Sequence, residues 1–220
     1  MRRRHLLTLS ASALGGVLVY RLERTPERVQ AQTGKVQVPL RFFTEDEAHI
    51  IAAAAARIFP NDESGPGANE AGVVIYIDRQ LGSPYGRDRY RYAKAPFENG
   101  VPEQGYQGKA SPREIYREGL KPLSGFDKLP PTEQDERLRA IEKTPFFAML
   151  RMHTIEGMFC DPMHGGNVDK IGWQLIGFPG PRMSNYDEVE AYHGRAFRPK
   201  PESLSEILHR PVKPSEDETE

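Results

Sequence analysis

Four side chains able to bind a metal or move a proton fall within twelve positions: His153, Glu156, Asp161 and His164. His153 and Glu156 are spaced one helical turn apart, and the other two follow at a bend marked by Asp161-Pro162. Imidazole nitrogen and carboxylate oxygen are ligands that suit zinc. The spacing is not the His-Glu-x-x-His pattern that sets two imidazoles on one helix face. Capping, turn formation and core hydrogen bonding compete for the same side chains. Cys160, the one cysteine, adjoins Phe159 and reads as a small buried residue rather than a nucleophile. A single cysteine excludes a disulfide framework and any Cys-rich zinc or iron–sulfur site of the chain's own. The sequence also shows no Gly-rich dinucleotide fingerprint after a strand, no P-loop and no Cys-x-x-Cys-His for haem.

Whatever these residues do, helices must position them. Thr44-Glu45-Asp46-Glu47 is a capping box opening a helix from Ala48 to Phe59. Its apolar face is Ile50, Ile51, Ala54, Ala55 and Ile58, with His49 beside it, and Pro60 stops it. Gly72 to Gly82 is ambiguous: its β-branched run favours a strand, while its charged end and Gly82 favour a helix. Residues 82–110 form a long loop whose Tyr85, Tyr90, Tyr92, Phe97 and Tyr106 belong on this protein's surface or against a partner. Ser111-Pro112-Arg113-Glu114 starts a helix to about Leu120, and Thr132 is expected to cap the next, through Leu138 and Ile141. Thr144-Pro145 opens the strongest helix, 145–159, with Phe146, Met149, Leu150 and His153 on one side. The fold class is therefore mainly α: a small helical domain with long irregular loops and few or no strands.

The 220 residues suit one domain with appendages, and Gly 20 with Pro 19 stays below the level of a disordered chain. Residues 1–31 hold six Arg and two Glu, a net of +4, so the remainder carries −5 of the total −1. A mildly acidic body without a basic stripe argues against nucleic acid as partner. The basic start has another use. Arg2-Arg3-Arg4-His5 precedes a short, Ser- and Gly-diluted apolar stretch to Tyr20, as in a signal peptide. Arg3-Arg4 followed by His5-Leu6-Leu7 resembles the twin-arginine (Tat) export signal, with the Tat translocase as its reader. Cleavage after Ala31 and retention as an anchor both remain readings of residues 1–31, the body being 32–197. The segment 198–220, with four prolines and an acidic end, is expected to be a flexible tail.

The most unusual stretch is His153 to Pro181. Phe146-Phe147 to Thr154, Glu156-Gly157, Phe159, Asp161-Pro162, Gly165-Gly166-Asn167, Gly172-Trp173 and Phe178-Pro179-Gly180 form a distinctive series. Upstream stand Phe42-Phe43-Thr44, Ile58-Phe59-Pro60, Gly72-Val73-Val74 and Ile77-Asp78-Arg79-Gln80-Leu81. Over about residues 42–186 the chain resembles the gluconate 2-dehydrogenase subunit 3 family, the small (gamma) subunits of membrane-bound FAD-dependent dehydrogenases. The resemblance implies a non-catalytic accessory subunit in the periplasm, associated with the membrane through its complex. Its partners would be a catalytic FAD oxidoreductase of the glucose–methanol–choline (GMC) type and a multihaem cytochrome c. FAD and haem c would be theirs, with no cofactor bound by this chain. His164, Gly165, Gly166, Asn167, Trp173 and Phe178 are candidate partner-facing residues, though for Trp173 and Phe178 the core reading leads. Two rivals stand beside this: a metal-dependent periplasmic enzyme using His153 and His164, and a free-standing periplasmic binding module.

Overall fold

The computed structural model describes residues 39–91, 94–98, 100–182, 186–197 and 199–209. The export signal with Arg3 and Arg4, Tyr92 and the end of the acidic tail lie outside the described residues. The compact unit begins at Leu40. Among the described residues eight α-helices form and no strand does. They are α1 (Glu45–Ile58), α2 (Val73–Gly82), α3 (Pro112–Leu120), α4 (Pro131–Ala140), α5 (Pro145–Phe159), α6 (Ile171–Ile176), α7 (Tyr186–Ala191) and α8 (Leu204–Leu208). None of them is long and apolar enough to cross a membrane. The mainly α expectation holds.

Local chemistry sets the helix starts. The Thr44 hydroxyl accepts from Glu47 N–H while the Glu47 carboxylate accepts from Thr44 N–H at 2.9 Å, so the capping box closes. Ser111 and Glu114 do the same for α3, with Pro112 at its first position. Helix α4 differs from expectation: it begins one residue before Thr132, with Pro131 at the first position and Pro130 as its cap residue. A proline needs no N–H there and arrives with its φ already helical, so it takes the start from Thr132.

The ambiguous segment is helical. Gly72 adopts the left-handed conformation (φ 68°) that admits the chain, and Val73, Ile77 and Leu81 are then fully buried on one face. The β-branched bias of Val73 and Ile77 toward a strand is outweighed by burial, worth roughly 1.5–3 kcal/mol for each such side chain. The same face carries Asp78, 1% exposed. Its Oδ2 accepts from Arg41 N–H at 2.7 Å, and its Oδ1 accepts from Phe42 and Phe43 N–H at 2.9 Å each. One carboxylate on α2 thus holds the segment that leads into α1.

Helix α5 is the central post. Phe146, Leu150, His153, Thr154, Gly157 and Met158 are its buried residues. Gly157 lets α2 come close: a Cβ there would stand 3.2 Å from both Tyr76 and Val73. On the other side Phe146 sits edge-on to Tyr116 of α3, 5.3 Å between centroids. Helix α4 is joined to α1 by the Arg57–Asp135 pair, two hydrogen bonds of 2.7 and 2.9 Å. Both partners are about one-third exposed, so this pair contributes at most about 1 kcal/mol.

Of the segment expected to be a flexible tail, residues 199–209 are described. Residues 199–209 include α8, which has a complete capping box of Ser203 with Glu206, and Ser203 is 4% exposed. Pro199 and Pro201 suggest a tail by composition, but proline also stiffens an ordered connection.

Candidate functional site

Two features meet at α5: a polar cluster along its length, buried at His153 and reaching the surface at Glu156, and a pinned loop after its end. In the first, both ring nitrogens of His153 are held by tyrosine hydroxyls. Tyr85 meets Nε2 and Tyr116 meets Nδ1, each at 2.9 Å. A neutral imidazole has one donor and one acceptor, so one tyrosine accepts and the other donates. The residue is 1% exposed, and burial lowers its pKa to about 4. Burial likewise raises Tyr85 to about 12 and holds Tyr116 well above the ordinary tyrosine value. Next along α5, Glu156 accepts from the Tyr76 hydroxyl at 2.9 Å. The cluster ties α2, α3 and the 82–110 loop to α5.

The loop after α5 turns at Asp161, whose Oδ1 accepts from Met163 N–H at 3.1 Å and caps the turn Pro162–His164. Gly165 then takes φ 100°. Gly166 passes against the Gly157 carbonyl so closely that a Cβ would overlap it, and Gly172 meets the Met158 carbonyl in the same way. Asn167 is the pin. Fully buried and left-handed (φ 48°), it donates from Nδ2 to the Cys160 carbonyl and accepts at Oδ1 from Gly172 N–H, both 2.8 Å. Its own N–H reaches the Gly157 carbonyl at 2.8 Å. Trp173 is 3% exposed and donates from Nε1 to the Phe159 carbonyl at 2.7 Å. Phe178 packs edge-on against it, 5.2 Å between centroids, and is 41% exposed. Exposed beside these anchors in sequence are Met163, His164, Val168 and Ile176, the last 59% exposed.

The candidates therefore divide. Gly165, Gly166 and Asn167 shape the loop from within, and Trp173 is a core anchor. His164 and Phe178 face outward. His153 and His164 occupy different settings, one sealed between tyrosines and the other exposed at the end of a turn. Among the described residues no three His, Cys, Asp or Glu side chains converge in a group suited to a metal ion. Cys160 is half-buried, and its thiol, raised to about 11 mainly by burial, stays protonated at neutral pH. Tyr85, expected on the surface or against a partner, instead turns inward to His153, and sequence reasoning missed Tyr116, Tyr76 and Asp78. Asp78 had a visible signal, a charge one residue past Ile77 on a helix face otherwise apolar; the tyrosines had none.

Asn167→Ala is expected to cost about 2 kcal/mol, because it leaves the Gly172 N–H and Cys160 carbonyl without partners in a buried turn. Denaturant unfolding followed by Trp173 fluorescence measures this directly, and a loss below about 0.5 kcal/mol would remove Asn167 from its role as pin.

The model of the family described as gluconate 2-dehydrogenase subunit 3 matches residues 45–180, and the chain belongs to that family. No curated protein sequence and no solved structure matches the chain. Membership in a family of dehydrogenase subunits implies that partner subunits exist.

Proposed function

We propose that this chain is the non-catalytic small (gamma) subunit of a periplasmic FAD-dependent sugar or sugar-acid dehydrogenase complex. The family match over residues 45–180 carries the reading. In it, the catalytic partner is a GMC-type flavoprotein that holds the FAD, and a multihaem cytochrome c holds the haems and links the complex to the membrane. The chain binds neither cofactor. The pinned loop 161–180, with His164 and Phe178 outward, supports the reading by offering a preformed contact surface, which lowers the ordering cost of association.

Arg3-Arg4 supplies the second role, escort through Tat export. That route moves cargo already folded, and a partner that folds around FAD in the cytoplasm needs such a carrier. Replacing Arg3 and Arg4 together by Lys is expected to leave this subunit and its flavoprotein in the cytoplasm, still associated and still flavinated. Fractionation followed by flavin absorbance of the co-purified complex checks the result. A flavoprotein that reaches the periplasm normally in that variant overturns the escort role.

A further inference from the structure

The strap of residues 199–209 lies beyond the family-matched region, yet it grips the pinned loop at both ends and in the middle. At the first end, Asp161 uses its second oxygen: Oδ2 accepts from Leu204 N–H at 2.7 Å. At the far end, Glu202 N–H donates to the Pro179 carbonyl at 3.2 Å. Gly180 there takes φ 89° and passes the Glu202 carbonyl so closely that a Cβ would overlap it. In the middle, Lys170 Nζ donates to both carboxylate oxygens of Glu206, at 2.7 and 2.8 Å. The hydrogen bonds to Lys170 and to the Ser203 backbone hold the Glu206 carboxyl down at about 2.

The loop has reason to need holding. Asn167, Asp169 and Lys170 all adopt positive φ, three of the four non-glycine residues that do so among the described residues. Each is a conformation that side chains disfavour, and such strain persists only when surrounding contacts over-determine it. Asn167 has its internal bonds, whereas the Lys170 side chain is held by the strap. Glu206 serves twice: its Oε2 also accepts from Ser203 N–H at 2.6 Å, so the cap of α8 and the grip on the loop share one carboxylate.

We infer that residues 199–209 are a latch that keeps the loop 161–180 in the shape the catalytic partner reads, with Lys170–Glu206 as its ionic catch. The inference rests on the proposed function for the identity of the partner, but the latch itself is a property of this chain alone. The pair is part-exposed, so its effect is modest and salt-dependent.

Full-length Glu206→Gln keeps an acceptor for the Ser203 cap and removes the charge; Lys170→Met keeps the stem and removes the ammonium. Hydrogen exchange of the otherwise intact protein reads the outcome. Each variant should speed exchange about fivefold in peptides from 161–180 and 199–209 while α1 and α2 stay unchanged. The double variant should be no faster than either single one, since both remove the same contact. High salt, about 1 M, should mimic the variants in the wild-type chain and add nothing in the double variant. Unchanged exchange in the loop, effects that multiply in the double variant, or acceleration spread equally through α1 and α2 would overturn the latch. The purified flavoprotein subunit gives the second arm: its dissociation from the variants should be faster by a similar factor. A loosened loop with unchanged dissociation leaves the latch standing and removes loop 161–180 from the partner contact.

Discussion

Replacing Asp78 by Ala is expected to lower the unfolding free energy by about 4 kcal/mol, a large share of the roughly 5–15 kcal/mol that holds a domain folded. The carboxylate accepts three backbone N–H groups, from Arg41, Phe42 and Phe43, at 2.7 to 2.9 Å. Without it the Phe43 N–H is buried and unpaired, while the other two, part-buried, turn to water. An orphaned buried donor costs about 1–3 kcal/mol, more when the lost acceptor was charged. The damage also spreads, because Phe42 and Phe43 lead directly into the Thr44 cap of α1. Asp78→Asn retains one carbonyl oxygen but turns an NH2 toward a donor, so it should fall about midway. Urea midpoints of the three proteins, at a common slope, give the comparison. A loss under about 1 kcal/mol in Asp78→Ala would mean that the entry segment does not depend on this anchor.

The second large effect is a pH dependence. Stability should rise by about 3 kcal/mol as pH increases from about 4 to about 6.5, through His153 alone. The sign follows from proton counts. Burial holds the folded pKa at about 4, while the unfolded chain has the ordinary value near 6.5. Between these values the unfolded state binds the extra proton, so acid favours unfolding. The contribution is fully present above about 6.5 and is lost as pH falls through the folded value. Tyr85 and Tyr116, which face the ring, stay protonated throughout because their own pKa values are raised. Glu206 titrates near 2, below the window. His153→Gln removes the titration while offering the tyrosines one donor and one acceptor. The difference in stability between wild type and this variant should therefore shrink as pH falls from 6.5 toward 4. A difference that stays constant over this range would show that His153 does not carry the dependence.

Much of the fold was legible before any tertiary contact was known, for reasons that are local. Thr44 with Glu47 and Ser111 with Glu114 close capping boxes within four residues, so their helix starts needed no partner to be read. Thr144-Pro145 fixed the start of α5, and the helix ends at Phe159 as its apolar pattern indicated. The Gly165-Gly166-Asn167 turn was visible as well, because positive φ and close backbone approach demand those residue types. The family series was readable in part for the same reason: Gly157, Gly166, Gly172, Asn167 and Trp173 each answer a fixed geometric demand around α5.

Tertiary structure decided what local chemistry left balanced. The β-branched run of α2 became a helix because Val73, Ile77 and Leu81 bury on one face, with Val73 meeting α5 where Gly157 leaves room. The spacing of His153 and Glu156 allows metal ligation but favours capping, turn and core hydrogen-bonding roles, and the fold set His153 between Tyr85, 68 positions away, and Tyr116, 37 positions away. No spacing rule reaches over such separations. Residues 199–209, within the expected tail, dock as a strap because Asp161, Lys170 and Pro179 lie where Leu204, Glu206 and Glu202 can meet them. Helix starts and tight turns are set by neighbours in sequence, whereas the choice between helix and strand, and between ligand and core, is set by burial against distant residues.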